Sequence, residues 1–506
     1  MLQQRPTTRS TVHHWLVALG VSLAVVVFGP LTPTTAVPFS VAPLTLVSGP
    51  SPFAACDIFG EPGTNFLNAE VEPWVDVNPT NPRNIVGVWQ QDRWSNGGAR
   101  GLVAGVTHNG GRTWKRVVIP NINKCSGGVL DGINYDRASD PWLSFAPNGR
   151  LYHISLSATA DLRTSALLVS KSTDGGDTWG SPTTIIETTS DFRFNDKESI
   201  TADPTDPTLA YAIWDQSRFP SDNADFNALH SFAFRGDAYF SRTIDGGNTW
   251  EAPRAIFASK SNEFTIGHQI AVLPDGTLVD VFNFIKGSGL NAPGFFQAVM
   301  RSTDHGATWS APIIAASERA VQVVDPDTGA PVRTGAGLPA IAVDAGSGIL
   351  FIVWEDARFS GSAHNDVAFS MSTDGGFTWS TPVKINKTPG NAAAFTPSVH
   401  VAADGTIAVT YYDFRNNTSD PNTLGTDYWI IHCHGACFNP ENWSENRITP
   451  SSFDMRTAPF ARGFFVGDYE GLTSVGDTFI PFFVQTNSGN LTNRTDAFET
   501  AAGAAP

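Results

Sequence analysis

Four short segments each close on an arginine next to acids or amides: WQQDR (Trp89–Arg93), WDQSR (Trp214–Arg218), WEDAR (Trp354–Arg358) and YYDFR (Tyr411–Arg415). A second set of ionisable residues stands at Glu72, at Asp136-Arg137-Ala138-Ser139-Asp140, at Asp196-Lys197-Glu198, at His268, and from Arg462 to Asp468-Tyr469-Glu470. Guanidinium forks suit a bound carboxylate better than lysine does. Carboxyl groups in different surroundings can divide the roles of acid and base. Together these types predict an anion-binding cleft armed with carboxylates, with Arg93, Arg137, Arg218, Arg358 and Arg415 as candidate anion ligands. The competing reading is that acid–arginine pairs clip neighbouring strands together, which accounts for some of them.

Residues so far apart share a cleft only if the chain returns repeatedly to one place. One octapeptide does recur: THNGGRTW (Thr107–Trp114), STDGGDTW (Ser172–Trp179), TIDGGNTW (Thr243–Trp250), STDHGATW (Ser302–Trp309) and STDGGFTW (Ser372–Trp379). β-like runs such as ALLVSK precede the copies, and SPTTII, APRAIF and TPVKI follow three of them, so each is a hairpin turn. The short side chains of Asn109, Asp174, Asp245, Asp304 and Asp374 can accept backbone N–H bonds across the turn. Glycine supplies positive φ, the threonine hydroxyl closes the loop, and tryptophan returns an apolar face to the core. These five positions read as structural braces, not catalysts.

Before each turn lies a strand–turn–strand pattern, as in WLSFAPNGRLYHISL and IAVLPDGTLVDVF. Seven such units start near Trp74, Trp142, Ser199, Gln269, Ala340, Ser398 and Gly471. The expected fold is all-β, a propeller of four-stranded antiparallel blades. Seven blades is the count, six if the weak last units merge, and a stack of sandwiches is the competitor. In a four-stranded meander the octapeptide turns fall on one face. The starts of the first strands and the ends of the second strands, with their arginines and acids, fall on the other.

Composition narrows the partners. The 506 residues carry a formal charge of −16 with no Lys/Arg-rich run, which argues against a binder of nucleic-acid backbone. The 46 Gly and 34 Pro fit a chain of short strands and many turns. At the N-terminus, Arg5 and Arg9 precede an apolar run from Trp15 to Phe28, then prolines and small residues. This pattern reads as a signal peptide over 1–36, cleaved after 36 or 42, and not as a lasting membrane anchor. An N-terminal segment, 37–70, could supply the strand that closes the ring; 71–496 is the propeller and 497–506 a flexible tail. The four cysteines are expected to pair as Cys56–Cys125 and Cys433–Cys437, although His432-Cys433-His434-Gly435-Ala436-Cys437 could also be read as soft-metal ligands. No cofactor is expected, Asp-rich loops could hold a structural Ca²⁺, and a secreted monomer acting on a glycan is the overall expectation.

STDGGDTW, TIDGGNTW, STDHGATW and STDGGFTW resemble the Asp boxes of the sialidase (neuraminidase) superfamily, with THNGGRTW a degenerate copy. The resemblance covers roughly Glu70 to Thr486 and implies the propeller fold. It bears less on activity, because Asp boxes also occur in other glycosidases, in lyases and in non-enzymatic propellers. It implies three arginines on a sialic acid carboxylate, a tyrosine nucleophile with a carboxylate base, and an aspartic acid as acid/base. By type and position these are Asp92 or Asp140 as acid/base, Glu198 as base and Tyr469 as nucleophile. The family's early Arg-Ile-Pro element is missing, so Arg93 or Arg137 would have to stand in. The implied activity is an exo-glycosidase on an acidic sugar terminus, sialic acid first. A non-catalytic glycan- or protein-binding propeller and a polysaccharide lyase are the alternatives.

Overall fold

The computed structural model describes Met1 and residues 39–56, 62–128, 134–219, 235–260, 263–287 and 294–504. The segment read as a signal peptide lies outside these residues, Met1 excepted. Strands dominate, and their pairings group them into antiparallel meanders spanning 70–118, 137–189, 193–257, 263–317, 340–384 and 394–447. A seventh is made of Gly471–Val475, Thr478–Thr486, Thr495–Glu499 and, at its outer edge, Thr45–Leu46 from the N-terminal segment. Each first strand lies against the first strand of the next meander, and that of the seventh lies against Glu70–Val77 of the first. The result is a closed ring whose innermost strands surround an axis.

The octapeptide turns explain why the meanders hold their shape. In Ser172–Trp179, Asp174 Oδ1 accepts from Ser172 Oγ at 2.8 Å and from the Thr178 amide at 3.0 Å, while Oδ2 accepts from Thr178 Oγ1 at 2.5 Å. Gly176 takes φ +97° and donates its amide to Ser172 Oγ at 2.9 Å, so the first residue of the motif is as much a brace as the aspartate. The turns at Asp245, Asp304 and Asp374 repeat this pattern. Asn109 keeps the Oδ1 contacts and reverses one bond, donating from Nδ2 to Thr113 Oγ1 at 2.8 Å.

Both expected disulfides are present, Cys56–Cys125 and Cys433–Cys437, which removes the soft-metal reading of the second pair. Among the described residues no group of three or more His, Cys, Asp or Glu is arranged to hold a metal ion. None of the described helices is long and apolar enough to cross a membrane. The segment expected to be a flexible tail differs from that expectation. Thr495–Glu499 is an integral strand, and Ala502–Ala504 pairs with Phe39–Val41. The apolar register explains it, since Ala497 and Ala502 are fully buried and Phe39 stacks on His432 at 3.8 Å.

Asp374 is held down to about 2, first by the Thr378 hydroxyl and then by the Thr378 amide. Its stabilisation is therefore present above about pH 4 and fades as pH falls towards 2. Asp374→Ala should cost about 1–2 kcal/mol at pH 6 through the lost hydrogen bonds, with the gap to wild type narrowing in melts below pH 4. A chain beginning at residue 43 lacks Phe39 and its strand. It should be destabilised by about 2–4 kcal/mol relative to one beginning at residue 37, measured by denaturant unfolding.

Candidate active site

Five of the seven innermost strands share a defect. Their pairing slips by one residue between Val71 and Trp74, Ser139 and Trp142, Asp196 and Ser199, Ile266 and Gln269, and Phe395 and Ser398. At each slip one residue takes a left-handed backbone: Glu72 (φ 53°), Asp140 (50°), Lys197 (48°), Gly267 (74°) and Thr396 (51°). A bulge of this kind inserts an unpaired residue and re-aims its side chain. Left-handed backbone costs a non-glycine residue of order 1–3 kcal/mol and persists only where surrounding contacts enforce it. At Glu72, Asp140 and Lys197 those contacts are ionic.

Lys197 Nζ lies 3.0 Å from Glu72 Oε1, 2.8 Å from Asp468 Oδ2 and 3.7 Å from Asp140 Oδ2. Burial pushes the Glu72 carboxyl up to about 8, against the opposing pull of Lys197. Burial also works against the Lys197 charge, yet Asp140, Asp468 and Glu72 together hold its ammonium well above the ordinary lysine range. Gln90, on the adjoining strand, donates to Glu72, to Ser139 Oγ at 3.0 Å and to Asp140 Oδ1 at 3.4 Å. The first three meanders are thereby tied to each other and to the segment entering the seventh.

Above this network lies a pocket bounded by Arg93, Arg333, Arg462, Arg137, Asp140 and Asp196. Arg93 and Arg333 stand over the same Phe465 ring, 4.9 and 4.2 Å from its centroid. Arg333 grips Asp468 with Nε at 2.9 Å and with Nη2. Burial and then the neighbouring Arg333 depress Arg93 to about 10, and the same two causes lower Arg462. Such crowding of cations favours an anion between them. Two buried donors, Arg93 Nε and Arg333 Nη1, have no protein partner.

Adjoining the pocket is a smaller chamber sharing Asp140 and Lys197 with it, and lined further by Glu198, His268, Glu355, Asp468 and Tyr469. The Tyr469 ring packs on Trp142 (5.2 Å) and edge-on to Trp74 (6.2 Å), and its hydroxyl donates to the Pro141 carbonyl at 3.3 Å. Burial, then Glu72 and Asp140, hold the phenol well above its usual range. Burial does the same to the Glu198 carboxyl.

No family model matches the chain. It is 27% identical over 317 residues to a sialidase from Micromonospora viridifaciens, a match covering 58% of this chain and 42% of that protein. The chain is a sialidase-like β-propeller. A xyloglucanase from Paenibacillus sp is 24% identical over 274 residues, covering 52% of this chain and 22% of that protein. The chain thus spans less than half the length of either relative. Among solved structures, the Penicillium chrysogenum alpha-L-arabinanase aligns at TM-score 0.46 and 10% identity, covering 91% of this chain and 98% of that one. The intramolecular trans-sialidase from Ruminococcus gnavus aligns at 0.41 and 13%, covering 88% and 96%.

In this sialidase-like propeller, Arg93, Arg137 and Asp140 from the expected set border the pocket, while Glu198 and Tyr469 line the chamber. Arg137 is largely committed there, donating to Asn96 Oδ1 and to the Gly97 and Pro62 carbonyls, each at 2.8 Å. Three expected anion ligands are elsewhere: Arg218 binds Asp237, Arg358 binds Asp356, and Arg415 binds Asp413 and Glu445. Each sits at or beyond the end of its strand, Arg218 as the last strand residue, Arg358 in the 3-10 turn Ala357–Ser360 and Arg415 after Ile407–Asp413, and each turns onto acids of its own meander. Arg93 escapes because Asp92 takes φ 66° and turns the chain over, so that Arg93 reaches Gln90 on the axial side. Asp92 itself is no acid/base candidate. It is buried and accepts from Ser51 Oγ at 2.5 Å and the Asn68 amide at 2.8 Å, fastening the N-terminal segment.

Sequence reasoning missed Arg333, which lies in a connection with no repeat to mark it, and assigned no role to Lys197. A signal for the bulges was present: proline inside a strand is confined to edges and bulges, and Glu72, Asp140 and Thr396 all precede one. Lys197→Met would leave three carboxyl groups around an apolar side chain. It should destabilise the fold by about 3–5 kcal/mol in denaturant titration at pH 7.

Proposed function

We propose that the chain is an exported glycoside hydrolase that takes an acidic sugar terminus, sialic acid first, into the pocket between Arg93, Arg333 and Arg462. One observation carries the reading: three arginines converge on a pocket wall that also bears Asp140, and two of their buried N–H groups are unpartnered. In this reading the arginines hold the sugar carboxylate. Asp140, fixed by Ser139 Oγ at 2.9 Å, protonates the departing oxygen. The Asp468 carboxylate, paired with Arg333 and Lys197, stabilises the oxocarbenium-like transition state. The sialidase relative supports the substrate class, and the xyloglucanase relative supports glycan hydrolysis more broadly.

Tyr469 is better suited to shaping the floor than to attack. A phenol needs a neighbouring base to act at neutral pH, and its hydroxyl is bonded to a backbone carbonyl. The same contact favours the second reading, a propeller that binds acidic glycans without turning them over.

Purified protein should be assayed on fluorogenic sialosides, uronosides and arabinosides, on xyloglucan, and for unsaturated uronide products. The expected result is hydrolysis confined to acidic sugars. Arg333→Ala should lower kcat/KM about 100-fold or more, and Arg218→Ala should leave it within about twofold. Binding of an acidic sugar with no product would establish the second reading. Turnover of neutral sugars alone, unaffected by Arg333→Ala, would overturn both.

A further inference from the structure

The position just after the bulge residue follows a rule with informative exceptions. Pro73, Pro141 and Pro397 occupy it in three of the five bulges, while Glu198 and His268 occupy it in the third and fourth meanders. Glu198 and His268 belong to adjacent meanders, whose strands are joined here by a 2.8 Å bond from Ser199 Oγ to the His268 carbonyl. His268 is backed by Asp280: its Nδ1 lies 2.9 Å from Asp280 Oδ2, both side chains are fully buried, and the ring stacks on Phe282 at 4.8 Å.

This pair resembles one half of a relay. A carboxylate at Nδ1 fixes the imidazole proton there and leaves Nε2 with its lone pair. His268 Nε2 and both Glu198 carboxyl oxygens are buried without a hydrogen-bond partner, and both residues line the chamber adjoining the arginine pocket. Buried polar atoms are rarely left unsatisfied, and a small polar chamber with convergent partners is where ordered water resides. The chamber shares Asp140 and Lys197 with the pocket, so water held there adjoins a sugar bound among the arginines. Burial pushes the Glu198 carboxyl upward, which favours its acting as a donor to that water, and His268 Nε2 offers an acceptor.

We infer that the Asp280–His268 pair is the general base of the reaction, acting on a water held with Glu198 in the chamber, and that hydrolysis therefore inverts the anomeric centre. The inference rests on the hydrolase reading above. The water oxygen bonds to the anomeric carbon as the bond to the leaving oxygen breaks. One water proton passes to His268 Nε2, and Asp140 gives its proton to the leaving oxygen. The extra proton then returns from His268 to Asp140 through solvent, restoring both groups. Tyr469 forms no covalent bond in this scheme.

The deciding experiment is proton NMR of the first product anomer formed by the wild-type enzyme, together with kinetics of His268→Asn and Asp280→Asn on the same substrate. Inversion is expected. His268→Asn should lower kcat about 100-fold or more with KM within about threefold, and Asp280→Asn should lower kcat about tenfold. Thermal melts separate lost chemistry from lost fold, and should His268→Asn not fold, Glu198→Gln replaces it with the same expected split between kcat and KM. Retention of configuration, or wild-type kcat in both variants, would overturn the inference and leave the hydrolase reading standing. A wild-type protein that binds acidic sugar and releases no product would overturn the two together.

Discussion

One buried ammonium organises the axis of this molecule. Lys197, on the innermost strand of the third meander, reaches Glu72 of the first, Asp140 of the second and Asp468 on the approach to the seventh. Each of the first three meanders sets its residue in left-handed backbone, which none would adopt without a reward. The reward is mutual: three carboxyl groups share one cation, and the cation is kept charged in a place where burial alone would discharge it. Remove it and both the strain and the buried acids are left uncompensated.

The arginine pocket rests on that base. Asp468 is held far below the ordinary carboxylate range, first by Arg333 and then by Lys197, so it links the cation under the pocket to one on its wall. Phe465 then carries Arg333 and Arg93 on a single ring, a weakly hydrated support that lets two guanidiniums lie close without a carboxylate between every pair of N–H groups. Cations held together in this way have their repulsion relieved by an incoming anion, and the protein meets that cost in advance through its fold.

Much of this was legible in the sequence, for reasons that can be stated. The octapeptide turns announce themselves because a turn needs particular side chains at fixed offsets, and five of the seven unit starts (Trp74, Trp142, Ser199, Gln269 and Ser398) are the first register pair after a bulge. Asp140, Glu198 and Tyr469, which border the two cavities, were singled out because they sit just before those starts. Arg218, Arg358 and Arg415 misled because being at the right end of a strand says nothing about which face a residue takes. Nor does any pattern mark Arg93 as the exception, since Asp92 turns the chain without a glycine to show it. Arg333 and Arg462 come from connections between meanders, where no periodicity exists. Their convergence is a property of ring closure, which joins residues far apart in the chain.

The central claim is that the carboxylate of an acidic sugar sits among Arg93, Arg333 and Arg462. The most direct test is a crystal structure with an acidic monosaccharide bound. The account predicts the sugar carboxylate within hydrogen-bond distance of at least two of these guanidiniums, with the anomeric carbon facing the chamber lined by His268 and Glu198. A sugar seated elsewhere, or one in the pocket with its carboxylate turned to solvent, would contradict it.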